Sequence, residues 1–143
     1  MINTVQVLDI KEECPGIKTI RFKIKLQTPK PGQFLMVWMP GIDEIPMSVS
    51  SWDSLDNWTF TVKEVGECTK FLSELKIGEY IGIRGPLGNH FTIPRDSSNR
   101  IILIGGGTGI APIKFLADEL VNQKRVFTFI EAVSYTHLRA HET

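Results

Sequence analysis

The sequence is poor in the features that mark secreted, membrane-embedded or nucleic-acid-binding chains. It holds two cysteines, Cys14 and Cys68, too few for a disulfide framework and typical of a reducing cytoplasm. No apolar run reaches about 18 residues, so no membrane span is expected. The 16 basic and 16 acidic residues cancel, which disfavours a nucleic-acid partner held by bulk charge. The N-terminus also lacks the basic-then-apolar pattern of a signal peptide.

Residues 1–97 contain a series of short segments with the pattern of β-strands. Apolar and polar residues alternate over 20–24 and 58–62, as in strands with one face buried. The other predicted strands cover 4–10, 33–39, 45–51 and 80–84, with the last ended by Gly-Pro. Six strands at this spacing predict a small antiparallel barrel. A short helix is predicted over 69–75, with Thr69 as its N-cap.

Residues 101–112, IILIGGGTGIAP, are the most informative stretch. An apolar run enters three glycines, Pro112 suits the first turn of a helix, and apolar residues at helical spacing follow. With a further strand over 126–130, this predicts one strand–helix–strand unit of an α/β domain over 98–132. Such glycines either let a phosphate approach the backbone or serve only tight strand–helix packing, and the spacing leaves both open. The predicted nucleotide-binding residues are Gly105, Gly106, Gly107, Thr108, Gly109 and Pro112.

Two stretches of the predicted barrel offer groups that can bind a ligand. In IPMSVS, a strand places Met47 and Ser48 on opposite faces; the alternative is a plain strand with an exposed serine. In VKEVGECTKFL, Gly66 turns the chain and a helix starts near Thr69, where free N–H groups and a hydroxyl can hold a pyrophosphate. The alternative is a capped surface helix with Lys63 in solvent.

The last eleven residues, 133–143, read VSYTHLRAHET and break the pattern of the α/β unit. They lack apolar periodicity and match one reading frame of a transposase-type sequencing adapter. We therefore expect a non-native tail, the alternative being an ordinary disordered one. The native chain is then expected to stop near Ala132, which leaves a two-stranded parallel sheet.

Taken in order, five segments resemble the ferredoxin-reductase superfamily, and within it the electron transfer subunits of dihydroorotate dehydrogenase B. The segments are PGQF, VWMPGIDEIPMSVS, VGECT, GPLGNHF and GGGTGIAP, which cover most of residues 1–132. The resemblance implies a barrel that binds FAD, followed by a domain that binds NAD. It also implies a [2Fe-2S] cluster, which is expected only in an untruncated protein because four thiolates are needed.

The resemblance also implies roles for individual residues. Ser48 would hydrogen-bond the N5 region of the flavin ring, with Pro46 and Met47 packing on it. Ile45 stands where the superfamily has an arginine for the flavin phosphate, and Lys63 could partly replace that charge. The implied FAD-binding residues are Ile45, Pro46, Met47, Ser48, Val62, Lys63, Glu64, Gly66, Cys68 and Thr69. No catalytic acid or base and no metal ligand is implied in this chain.

The implied function is electron transfer in pyrimidine biosynthesis. The partner would be the FMN-containing dihydroorotate dehydrogenase catalytic subunit, in a cytoplasmic hetero-oligomer, with NAD as the other redox partner and this fragment inactive alone. An alternative is a flavin reductase, or the flavin subunit of a hydrogenase or ferredoxin:NADP oxidoreductase complex. A non-catalytic barrel that docks proteins is an alternative of another class. The residues distinguish neither NAD from NADP nor the oligomeric state.

Overall fold

The first part of the molecule is a closed antiparallel barrel with the strand order β1-β2-β5-β4-β3-β6. Its strands are β1 (Asn3–Cys14), β2 (Ile17–Lys23), β3 (Phe34–Met39), β4 (Asp43–Trp52), β5 (Asn57–Lys63) and β6 (Tyr80–Leu87). This computed structural model describes residues 1–132 and 138–142, without the side chains of Cys68 and of 138–142. The predicted barrel is confirmed. The predicted end of β6 is wrong, because Leu87 still pairs with Phe34 beyond a bulge.

The barrel core is filled by the inward-facing residues of the alternating strands. Phe22, Trp58 and Phe60 are fully buried, and the rings of Phe22 and Trp58 stack with centroids 6.3 Å apart. The indole N–H of Trp58 donates to the carbonyl of Ile24 at 2.9 Å, so its polar atom is satisfied. Burying each such side chain stabilises the barrel by about 1.5–3 kcal/mol.

A short helix, α1 (Glu67–Ser73), follows β5 and packs Leu72 into the barrel core. It begins earlier than predicted, with Gly66 as the N-cap. The prediction of Thr69 as N-cap is wrong because its hydroxyl caps backwards from the third helical position. It accepts the N–H groups of Val65 at 2.8 Å and Gly66 at 2.9 Å.

The second part of the molecule is a small three-stranded sheet with one helix. Its elements are β7 (Ile102–Gly106), a 3-10 turn (Gly107–Gly109), α2 (Ile110–Asn122), β8 (Thr128–Ala132) and β9 (Leu138–Glu142). β7 and β8 are parallel, which confirms the predicted strand–helix–strand unit. β9 pairs antiparallel with β8, so the expected two-stranded sheet has a third strand along its free edge. That 133–143 is non-native stays a prediction.

Helix α2 packs against both parts of the molecule. Phe115 belongs to the barrel core, whereas Leu116 and Leu120 pack with Leu103 and Phe129 of the small sheet. The helix therefore places the glycine turn at its N-terminus beside the barrel. Within residues 1–132, neither helix has the length and apolar character needed to cross a membrane.

Candidate functional site

Strand alternation divides the β4 residues between the barrel core and the outer face. Ile45 and Met47 pack against the core, and Val49 is fully buried within it. Pro46 and Ser48 alternate with these residues and lie on the outer face. Ser48 therefore shares its face with Pro46, whereas the side chain of Met47 points the other way. A ligand beside Ser48 would meet Met47 only through its backbone.

The outer face around Ser48 carries three side chains that sequence reasoning missed. Ser48 pairs with Phe34, and the next outward residue of β3, Met36, pairs with Arg84 of β6. The Nε–H of Arg84 donates to the Glu44 carboxylate at 3.1 Å, which holds the half-buried guanidinium against the sheet. The alternation of side-chain directions along the strand IGIRGPL would have been enough to predict that Arg84 faces outward. Its proximity to β4 depends on a pairing between distant strands.

The turn before α1 is shaped by the Thr69 hydroxyl. Besides accepting two N–H groups, this hydroxyl donates to the Gly66 carbonyl at 3.1 Å. The first i→i−4 bond of the helix runs from the Lys70 N–H to the same carbonyl at 2.8 Å. The helical residues before Lys70 have no carbonyl four positions back within the helix, so their N–H groups have no acceptor there.

The other residues predicted near this turn have different environments. The Val62 side chain lies in the barrel core, so only its backbone is available to a ligand. Lys63 is exposed at the end of β5 and makes no ion pair within the described residues. The Glu64 carboxylate accepts the Ser73 hydroxyl at 3.4 Å. The backbone of Cys68 lies in α1, and its side chain is outside the described part.

Two glycines of the second turn, Gly105 and Gly107, are required by the fold, whereas a Cβ on Gly106 would make only an ordinary contact. A Cβ on Gly105 would lie 3.2 Å from the Ile110 Cα, which supports the packing interpretation for this residue. A Cβ on Gly106 would lie 3.4 Å from the Ala132 Cβ. Gly107 has a φ of +57°, a conformation that favours glycine. Exposed Thr108 follows in the 3-10 turn, and Pro112 lies in the first turn of α2 as predicted.

Two other glycines are required neither by backbone conformation nor by packing. Gly109 has φ −68° and ψ −13°, which any residue adopts, and a Cβ there would have no atom within 4 Å. Gly66 has an extended backbone and the same open surroundings. Each immediately precedes a helix. Both leave space that a side chain would partly fill: Gly66 in front of the free N–H groups of α1, and Gly109 beside the 3-10 turn, where the Ile110 N–H already donates to the Gly107 carbonyl.

A large groove lies away from these two turns. It has a volume of about 770 Å³ and runs between α2 and the ends of the barrel strands, with Trp52 and Phe91 among its walls. None of the residues predicted to bind FAD or NAD lines it.

No family model matches the chain. It is 41% identical over 116 residues to the probable dihydroorotate dehydrogenase B (NAD(+)), electron transfer subunit of Archaeoglobus fulgidus, covering 81% of this chain and 46% of that protein. The protein of the same description from Methanocella arvoryzae is 44% identical over 114 residues, covering 79% and 41%. The chain thus spans about half the length of the curated relatives it matches.

Solved structures show the same fold. An NADH-dependent reduced ferredoxin-NADP oxidoreductase matches 91% of this chain and 48% of its own, with a TM-score of 0.82 at 24% identity. The FAD/NAD binding domain of a nitric oxide dioxygenase from Vibrio cholerae matches 93% and 63%, with a TM-score of 0.81 at 18% identity. Over about four fifths of its length the chain is thus similar to dihydroorotate dehydrogenase B electron transfer subunits, and it shares the fold of these solved structures.

Proposed function

We propose that this chain carries the FAD site and part of the NAD site of an electron transfer subunit. The observation that carries the proposal is the pair of open glycines, Gly66 and Gly109, each ahead of a helix N-terminus. A bound diphosphate explains both positions, because close approach to the backbone requires a residue without Cβ. The relatives' printed names supply the class of reaction.

The proposed FAD site covers the barrel surface at Ser48 and the Gly66 turn. The Ser48 hydroxyl lies on the outer face and can donate to a ring nitrogen, beside the apolar ring of Phe34. The N–H groups at the start of α1 can hold phosphate oxygens, and the exposed Lys63 supplies a positive charge that Ile45 cannot. When bound, FAD exchanges electron pairs with a nicotinamide and single electrons with an iron–sulfur cluster. The chain binds and orients the ring.

NAD fits the second turn. Gly107 directs the chain into the 3-10 turn, and Gly109 leaves room beside the first N–H groups of α2. Pro112 has no backbone N–H, but it lies in the first turn of the helix, where an N–H would have no acceptor within the helix. We infer NAD rather than NADP from the relatives' names.

A [2Fe-2S] cluster does not fit this chain by itself. Four thiolates are needed and the sequence has two cysteines, with Cys14 exposed at the end of β1. Among the residues whose side chains are described, no three His, Cys, Asp or Glu groups are placed to hold a metal. We assign the cluster to the full-length subunit, so this half alone is inactive.

The full-length protein would act with an FMN-containing catalytic subunit that oxidises dihydroorotate. Electrons would pass from that subunit to NAD by way of the cluster and FAD, as a cytoplasmic step of pyrimidine biosynthesis. The name shared by the relatives, electron transfer subunit of dihydroorotate dehydrogenase B, supports this assignment. The contribution of the present chain is to seat and align the two nucleotide cofactors.

FAD titration of the purified chain tests the proposal. We expect saturable binding at micromolar concentrations, and about tenfold weaker binding by Gly66→Ser because the new side chain enters the open turn. Serine is a favoured N-cap, so Tm should not fall. Gly109→Ala serves as the matched control and should leave FAD affinity unchanged. No FAD binding at micromolar concentrations would refute the proposal.

A further inference from the structure

A second groove lies at the opposite end of β7 and β8 from the glycine turn. It has a volume of about 590 Å³ and is formed by residues 97–101 before β7 and 124–128 before β8. The Thr128 N–H donates to the Ile101 carbonyl at 3.0 Å and joins the two segments. Strand β7 separates this groove from Gly106 by about 13 Å, at roughly 3.3 Å a residue. The groove is therefore distinct from the proposed FAD and NAD sites.

The groove concentrates positive charge in a chain whose net charge is zero. Its charged lining residues are Arg100, Lys124 and Arg125, and among the residues whose side chains are described no carboxylate lines it. Arg125 is oriented by its Nη1, which donates to the Pro94 carbonyl at 2.6 Å. Within the described residues, Arg100 and Lys124 make no ion pair. Their charges are available to a ligand.

Among the residues whose side chains are described, Asp96 is a carboxylate that lies beside the groove without lining it. The N–H and hydroxyl of Ser98 donate to Asp96 and, with Arg125 nearby, hold the pKa of Asp96 below its usual range. Asp96 is thus ionised at neutral pH and lies near Arg125, whose guanidinium donates to the backbone carbonyl of Asp96 at 3.2 Å.

Lys124 occupies a backbone position that normally selects glycine. It follows Gln123, the C-cap of α2, with a φ of +56°, and its N–H donates to the Val121 carbonyl at 3.0 Å. Glycine or asparagine is the usual residue there because Cβ crowds the left-handed conformation. The fold therefore carries a lysine where glycine would be less strained. A ligand-binding role of the Lys124 ammonium in the groove explains why lysine is present at this position.

We propose that this groove binds a phosphorylated small molecule with at least two negative charges. The Arg100 guanidinium matches a pair of phosphate oxygens, and the Lys124 ammonium adds a compact charge. Ser97 and Thr128 line the same groove and supply hydroxyl donors. Its volume lies within the range of small-molecule sites. The concave shape between two loops favours such a ligand over an extended polymer.

Titration of the 143-residue chain with inorganic pyrophosphate tests this site. We expect saturable binding at low salt, with ¹⁵N amide shifts concentrated at 97–101 and 124–128. Lys124→Gly should weaken binding about tenfold, the loss of one charge-assisted contact, while Tm is unchanged or raised. Arg100→Gln should weaken it similarly. Lys114→Gln removes an exposed lysine charge of α2 outside the groove and should have no effect.

Any of four results would overturn the site. The first is no saturable binding, and the second is amide shifts confined to 65–69 or 106–110, which would place pyrophosphate in the cofactor turns. The third is equal weakening by Lys114→Gln, which would indicate non-specific charge attraction. Tighter binding of polyglutamate than of pyrophosphate would likewise replace the proposal with an acidic protein partner. FAD affinity, unaffected by Lys124→Gly, keeps this test separate from that of the proposed function.

Discussion

The Thr69 hydroxyl has three hydrogen bonds to its own turn, so it acts on a bound phosphate through the backbone it positions. Thr69→Ala leaves the Val65 and Gly66 N–H groups without their acceptor and should loosen the turn. We expect FAD binding to weaken by about 1–3 kcal/mol, measured by fluorescence titration of FAD. Thr69→Ser keeps the hydroxyl and should bind nearly as the parent does. Unchanged FAD affinity in the alanine variant would exclude Thr69 from the site.

Gly109 tests whether the second turn faces a ligand. Its helical backbone accepts alanine, so Gly109→Ala should alter the free energy of unfolding by less than about 0.5 kcal/mol. The added methyl group projects into open space ahead of α2, where NAD would lie. NADH binding, measured by fluorescence titration, should therefore weaken while Tm stays constant. Equal NADH affinity in parent and variant would contradict a ligand at this turn.

How much of the site the sequence predicts depends on which interactions are local. Alternation in IPMSVS is enough to separate Met47 from Ser48, because neighbouring strand residues face opposite ways. Which of them faces the core depends on the whole barrel. Arg84 reaches the same outer face through the pairing of β6 with β3, and no short-range pattern contains that register.

At the scale of elements, the β7–α2 junction contains two glycines with different roles. Gly105 is required by packing, whereas Gly109 is open to a ligand. A Cβ on Gly105 would meet backbone and Ile113 atoms that cannot move without shifting the helix. We expect Gly105→Ala to lower the free energy of unfolding by about 1–3 kcal/mol, measured by urea denaturation. Gly109→Ala, four residues along, is the matched control and should show no such loss. Equal stabilities of the two variants would show that the helix can shift at low cost.

The types of the elements follow from the sequence more closely than their ends do. Apolar periodicity marks the middle of an element, whereas capping decides where it begins. The first turn of α1 includes Glu67 because Thr69 caps backwards. Val126, predicted to start a strand, is 76% exposed and lies in the loop after the turn at Gln123 and Lys124, so β8 starts at Thr128. The first difference arises from the Thr69 side chain and the second from the positive φ angle of Lys124, and apolar periodicity predicts neither.

At the scale of the whole molecule, the two parts differ in how completely they are covered. The barrel closes on itself, which removes its edges, and its core reaches full burial. In the small sheet α2 covers one face, while Ile102 is 59% and Ile104 66% exposed on the other. Parallel sheets are normally covered on both faces. The incomplete cover agrees with a chain that spans about half the length of its relatives.

This difference predicts unequal local stability, which native-state hydrogen exchange can measure. Amides of Phe22 and Phe60 lie in paired central strands of the barrel and should exchange only with its global unfolding. Amides of Leu103 and Ile130 lie in a sheet with less buried apolar area, so they should open with a smaller free energy. Replacing Ile102 and Ile104 by threonine removes exposed apolar surface and should leave that order unchanged. Equal protection of the four amides would show that α2 couples the sheet to the barrel as one cooperative unit.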